Sequence, residues 1–326
     1  MPSLRVWTSD HFEVPLPPGN PFPMAKYRAL RERLLDESVL EPATCALSEP
    51  APVEWLYRAH DPDYVDRVCR GGLTAAEERR LGLPWSPALV ARARAATFGT
   101  VRAAFAALED GMAGNLAGGT HHAFRDRGEG YCLFNDHAVA IALLREAGHV
   151  RRPLIVDLDV HQGNGTASIF ADDPDVFTLS MHARTNYPLH KERSSLDLEL
   201  EDGTGDREYL ALLAARLPEA LDRHAPDIVF YQAGVDAHES DRIGRLKLTH
   251  EGLAARDAFV FAGCEERGLP VVVTLGGGYA RPIEPTVEAH ANVFREARRA
   301  RARRADCSLA PFPRRPRDLT ASSSDS

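Results

Sequence analysis

Two rhythms of apolar residues alternate along this chain. Short apolar runs bounded by Gly, Pro or charged residues fall at 4–8, 44–48, 115–120, 176–181, 228–235 and 271–275, with another between Pro153 and Gly163. Runs of this kind read as buried strands. Apolar residues at helical spacing predict helices over 24–36, 53–60, 62–69, 137–146, 167–170, 207–223, 251–267 and 286–304. The Ala-rich segment 88–109, with Gly99 its one glycine, predicts a long buried helix. The Pro-rich stretch VPLPPGNPFPM and the Pro84-Trp85-Ser86-Pro87 break cannot be helical throughout, and 183–205 reads as a long loop.

Strands that alternate with helices predict an α/β fold, a doubly wound and mostly parallel sheet with right-handed crossovers. With no linker in sight, residues 1–305 read as one domain and 306–326, rich in Pro, Ser and Arg, as a flexible tail. In such folds sites gather at the carboxyl ends of strands. Four strand ends here carry polar or glycine clusters: GGTHH, DLDVHQGNG, AGVDAHESD and LGGGY.

Composition narrows the function classes. At 326 residues, 44% hydrophobic and 26% charged, the chain has an ordinary globular balance. Its formal net charge of −8 gives no basic footprint for nucleic acid; only 295–304 is locally basic. No apolar run is long enough for a membrane span, and the N-terminus lacks a signal-peptide core. Five scattered cysteines without a CxxC pair argue against a disulfide framework and predict a reducing cytoplasm.

The chemistry starts at LIVDLDVHQGNG. Two carboxylates inside a buried run cost several kcal/mol unless paired or bound to a cation. With a strand period of 2, Asp157, Asp159 and His161 point the same way, and an oxygen and an imidazole nitrogen two residues apart can chelate one Zn²⁺. A carboxylate pair held by helix N-termini, with His161 merely a satisfied polar residue, fits the same letters. Asp236, at the end of IVFYQAGVD, either caps a turn or supplies a third ligand. Three protein ligands that leave positions open are the pattern of a catalytic zinc site. His121 and His122 suit proton transfer, with Asp157 and Asn164 as plausible orienters. The glycines at 276–278 allow close backbone approach, and Tyr279 can donate to a developing oxyanion, though a plain structural turn fits the same letters equally well.

In their order and intervals, GGTHHA, GEGYCLFND, IVDLDVHQGNGT, YQAGVDAHESD and LGGGY resemble the histone deacetylase family of zinc amidohydrolases, within the arginase/deacetylase superfamily. The resemblance covers about residues 5–295 and is nearest the class IV branch and its bacterial relatives. It implies a three-layer α/β/α sandwich around an eight-stranded sheet. It implies Asp159, His161 and Asp236 as ligands of zinc, with ferrous iron as the other candidate. It makes His122 the general base, with His121 its electrostatic partner or the general acid. Asp157 would orient His121, Asn164 would orient His122, and Tyr279 would be the transition-state tyrosine. Gly130, Tyr131, Tyr187, Ile243 and Gly277 would meet substrate. A potassium ion would sit near Asp157, Asp159, His161, Ser180 and Met181.

The chain departs from that pattern in places. Asn164 replaces the aspartate of class I enzymes, so a charged His122 should be less stabilised. Tyr131 and Tyr187 replace the common phenylalanines. Ile243 stands where polyamine deacetylases carry a glutamate. The expected activity is metal-dependent hydrolysis of an acyl-lysine amide, acetyl or longer, on a protein or peptide. A small acylated amine and a di-manganese ureohydrolase of the arginase type are the alternatives.

Overall fold

Eight strands lie side by side, every neighbouring pair parallel, in the computed structural model, which describes residues 4–306. They are β1 (Arg5–Thr8), β2 (Cys45–Leu47), β3 (Met112–Asn115), β4 (Pro153–Asp157), β5 (Phe177–Ala183), β6 (Leu196–Leu200), β7 (Ile228–Gln232) and β8 (Val271–Thr274), in the order β2-β1-β3-β8-β7-β4-β5-β6. Helices cover both faces. β7 shows why its apolar run is continuous: Val229 and Tyr231 enter one core while Ile228 and Phe230 enter the other. The first core is completed by α1 (Lys26–Asp36), α8 (Asp206–His224), α9 (His250–Glu266) and α10 (Glu284–Asp306). The second is completed by α2 (Val53–Leu56), α3 (Pro62–Arg70), α4 (Ala75–Leu81), α5 (Pro87–Asp110) and α6 (Asp136–Glu146). A short α7 (Asn164–Ile169) follows β4. Among the described residues no helix is long and apolar enough to cross a membrane. The stretch expected to be a tail lies outside the described residues beyond Asp306.

Four expectations are corrected. The loop at 183–205 contains β6, an edge strand whose alternating LDLEL lacks the continuous apolar run of a central strand. Helix α4 went unforeseen because AAEERRL buries only Leu81; a capping box between Thr74 and Glu77 starts it. β3 ends at Asn115, where a strand was expected to begin, and Gly118 and Gly119 then turn the chain at positive φ. Finally, β4 stops at Asp157 and α7 starts at Asn164, so Asp159 and His161 belong to the intervening loop and share no strand face with Asp157.

His60 bridges the Phe124 and Asn135 backbones. Its Nδ1–H donates to the Phe124 carbonyl at 2.8 Å, and its Nε2 accepts the Asn135 N–H at 2.9 Å. A carbonyl only accepts and an N–H only donates, so the neutral tautomer is imposed. Burial holds the His60 pKa down at about 4. The unfolded chain therefore takes up this proton first, and stability present above about pH 6.5 is lost as pH falls toward the folded value. Chemical denaturation should show His60 accounting for ~2 kcal/mol of the loss between pH 7 and pH 5. The His60→Asn variant should show a correspondingly flatter pH dependence; an unchanged slope would refute the assignment.

Candidate functional site

The loops after β4 and β7 converge because the two strands are neighbours. Asp159, His161 and Asp236 are buried there, with candidate ligand atoms all within 4.8 Å of one another. His161 Nδ1 lies 3.0 Å from Asp159 Oδ1 and 2.9 Å from Asp236 Oδ2. Backbone N–H groups hold the carboxylates in place. His161 donates to Asp159 Oδ1 at 3.0 Å, Gly277 to Asp159 Oδ2 at 2.6 Å, and Val160 to Asp236 Oδ1 at 2.9 Å. The fully buried Arg256 ties both loops together, since its Nη1 donates to the carbonyls of Leu158 at 3.2 Å and Gly234 at 2.6 Å.

Without a cation this cluster is electrostatically strained. Burial, followed by the charge of Asp159, pushes the Asp236 carboxyl up to about 7. Burial opposes charge on His161, but Asp236 and Asp159 outweigh it and raise His161 to about 10. Two carboxylates and one imidazole are the donor set that Zn²⁺ or Fe²⁺ accepts. Space is reserved as well: a Cβ on Gly277 would fall 1.7 Å from Asp236 Oδ2. The residues fit a divalent ion.

His121 and His122 follow the turn after β3. Asp136 anchors that turn by accepting the N–H groups of Gly119 at 3.0 Å and Thr120 at 2.8 Å. The imidazole rings lie with centroids 4.0 Å apart. His121 Nδ1 is 2.7 Å from Asp157 Oδ2, and His122 Nδ1 is 2.6 Å from Asn164 Oδ1. Their environments separate them. Burial disfavours charge on His121, but Asp157 and Asp159 overcome it and raise its pKa. Burial, then His121 and His161, holds His122 well below the usual range. Paired groups pushed apart in this way divide acid and base roles.

One cavity is lined by His121, His122, Asp159, His161, Tyr131 and Tyr279. Gly130 and Gly277 also line it. Tyr279 lies with its ring centroid 6.1 Å from that of Tyr131, and burial, then Asp236 and Asp159, keeps its phenol protonated. Tyr131 adopts a φ of 68°, in the left-handed region that a bulky residue seldom occupies. Tyr187 packs edge-on to His122 with centroids 5.0 Å apart and is partly exposed, as is Ile243, whose carbonyl accepts from Asn186 at 2.7 Å. Neither is among the residues that line the cavity, although Tyr187 stands against His122. Asp157 and Asn164 stand behind the histidines, and Asp157 pairs with Ser180 across β4 and β5, beside Met181.

Sequence reasoning missed several residues here. Asp241 accepts the Tyr279 N–H at 2.7 Å, and its position five residues past Asp236 in VDAHESD was the available signal. Lys26 is buried and donates to the Gly276 carbonyl at 2.7 Å; a lysine on the apolar side of α1 was the clue. Glu129 donates nothing but accepts the Asn164 amide at 2.7 Å, and its letter in GEGYC gave no hint of that reach.

Comparison with known proteins identifies the family and the fold. Residues 20–294 match the model of the histone deacetylase domain. An uncharacterized protein of Picosynechococcus sp. is 47% identical over 287 residues, 88% of this chain and 96% of that protein. Histone deacetylase 2 of Arabidopsis thaliana is 37% identical over 197 residues, 58% of this chain and 51% of that protein. The chain thus spans about half the length of that named relative. The crystal structure of an HDAC homolog from Aquifex aeolicus superposes with a TM-score of 0.76 at 23% identity, covering 92% of this chain and 84% of the other. That likeness speaks to the fold: the eight-stranded parallel sheet with helices on both sides.

Proposed function

The chain belongs to the histone deacetylase family of hydrolases, and from that premise we propose that it is a metal-dependent deacylase acting on the amide of N-ε-acyl-lysine. One observation carries the reading: Asp159 and His161 of a buried Asp/His/Asp cluster line the same cavity as two histidines of opposed proton affinity. Asp159, His161 and Asp236 would hold a divalent cation, Zn²⁺ or Fe²⁺, which would supply Lewis acidity.

The chain's own groups do the rest. His122, neutral and aimed by Asn164, takes the water proton. Tyr279, protonated, donates to the oxyanion of the tetrahedral intermediate. His121, whose charge Asp157 supports, stabilises the imidazolium that forms beside it or passes a proton to the leaving amine. Tyr131 and Tyr187 flank the lysine stem, with Gly130 and Gly277 allowing close approach and Ile243 at the rim. The cavity lining includes Phe22, Leu83, Leu89, Ala93 and Ala96 beside Arg92, and its apolar side chains favour an aliphatic acyl group, from acetyl to fatty acyl. We assign a potassium ion to Asp157, Asp159, His161, Ser180 and Met181, which the pairing of β4 with β5 supports.

The test is hydrolysis of one lysine peptide carrying acyl chains from acetyl to myristoyl, alongside a small acetylated amine, with and without chelator. Turnover should be lost on chelation and return with Zn²⁺ or Fe²⁺, with one such ion per chain. Two manganese ions per chain, or turnover indifferent to chelator, would overturn the reading.

A further inference from the structure

An asparagine is an ambiguous orienter. Its carbonyl accepts and its NH₂ donates, and the two ends are nearly the same shape, so either can face a neighbour. A carboxylate has no such choice. With Asn164 facing His122, something must decide which end of the amide the imidazole meets, because the answer sets which ring nitrogen carries the proton.

Glu129 is placed to decide it. Asn164 Oδ1 lies 2.6 Å from His122 Nδ1, and Asn164 Nδ2 donates to Glu129 Oε1 at 2.7 Å. The glutamate side chain is 13% exposed, so this contact is largely withdrawn from water. Two further groups meet the carboxylate: Arg127 Nε approaches Oε2 at 3.7 Å, and the Tyr187 phenol, pushed up by burial and then by Glu129, stays protonated and donates to it. The backbone holds the carboxylate there. Cys132 N–H donates to the Glu129 carbonyl at 2.9 Å, and Gly130, at a φ of 56°, presses so closely on His122 that a Cβ would meet its Cδ2 at 2.5 Å. The tight turn that forms the cavity wall therefore also delivers Glu129 behind the histidine.

We propose that Glu129 is a positioning residue that locks the Asn164 amide with its oxygen toward His122. His122 then carries its proton on Nδ1 and keeps the Nε2 lone pair for the reaction. A charge absent from the residue touching the imidazole is restored one hydrogen bond further out. The kinetic part of this inference rests on the deacylase reading; the tautomer does not.

The test combines Glu129→Ala, Glu129→Gln, Asn164→Asp and the double variant E129A/N164D in the full chain. Readouts are kcat and KM on an acyl-lysine peptide and the ¹⁵N NMR tautomer of His122. E129A should lower kcat ~10- to 100-fold, the usual loss when an outer partner of an active-site group is removed, with KM little changed. A second His122 tautomer should appear. E129Q, whose amide oxygen can still accept, should lie closer to wild type. In the Asn164→Asp background the aspartate needs no director, so removing Glu129 should cost nothing and should relieve the repulsion of two facing carboxylates. Wild-type kcat with a single Nδ1–H tautomer in E129A would overturn the proposal, as would an equal penalty in both backgrounds. Absence of amide hydrolysis in the wild type would sink the deacylase reading instead, while NMR would still decide the tautomer.

Discussion

Replacing Asp236 with alanine will abolish stoichiometric divalent-metal binding and lower acyl-lysine hydrolysis by about a thousandfold or more, the several kcal/mol that a metal contributes to a transition state. The reason lies in the donor set. Asp159 and Asp236 face each other across His161 Nδ1 at 3.0 and 2.9 Å, and deleting one leaves two ligands where three were arranged. The same substitution separates loss of metal from loss of fold. Asp236 also accepts the buried Val160 N–H and faces His161 Nδ1, so some stability should be lost even without metal, and D236A melts are to be compared with those of the metal-free wild type. What should vanish is the gain from added metal, ~3 kcal/mol at a hundredfold excess over Kd. Metal analysis and thermal melts with and without Zn²⁺ check both parts. A variant that keeps its metal and its rate would remove Asp236 from the site.

His122→Ala should cost about 10²- to 10⁴-fold in turnover, the range for a general base, while metal content stays at the wild-type level. His122 is the imidazole that burial, then His121 and His161, keeps neutral, and the loss should fall on kcat. Tyr279→Phe should cost about 10²- to 10³-fold by removing one oxyanion donor, again with metal retained. Because the Tyr279 backbone N–H is held by Asp241 at 2.7 Å, the phenylalanine ring should keep its place, so this loss reports the hydroxyl alone. Steady-state kinetics with metal analysis decide the matter. Near-wild-type rates in both variants would show that proton transfer and oxyanion binding lie elsewhere.

Much of this was legible in the letters because parallel strands buried on both faces leave uninterrupted apolar runs, as VVVT and IVFYQ do. β6 escaped because an edge strand carries only half that signal, and α4 because a capped polar helix carries almost none. At the site, Asp159, His161 and Asp236 stood out as polar residues at the ends of apolar runs. Their geometry was misjudged, since a strand period was extended past Asp157, where the chain had already turned. Glu129, Asp241 and Lys26 were invisible for a different reason. Their partners lie 35, 38 and 250 residues away, and no local pattern encodes a contact of that span.

The position of β8 has a consequence for how this protein comes into being. It is the last strand in sequence yet sits at the centre of the sheet, between β3 and β7. Until residues 271–274 are inserted, no strand among the described residues hydrogen-bonds the β2-β1-β3 half to the β7-β4-β5-β6 half. The histidine pair follows a strand of the first half, and the proposed metal ligands follow strands of the second. A nascent chain on the ribosome can thus build each half early, but the two meet only after most of the polypeptide has emerged. Long-range closure of this kind is slow. It also acts as a safeguard: a chain interrupted before β8 would carry the chemistry in two pieces, and a premature fragment would be inert.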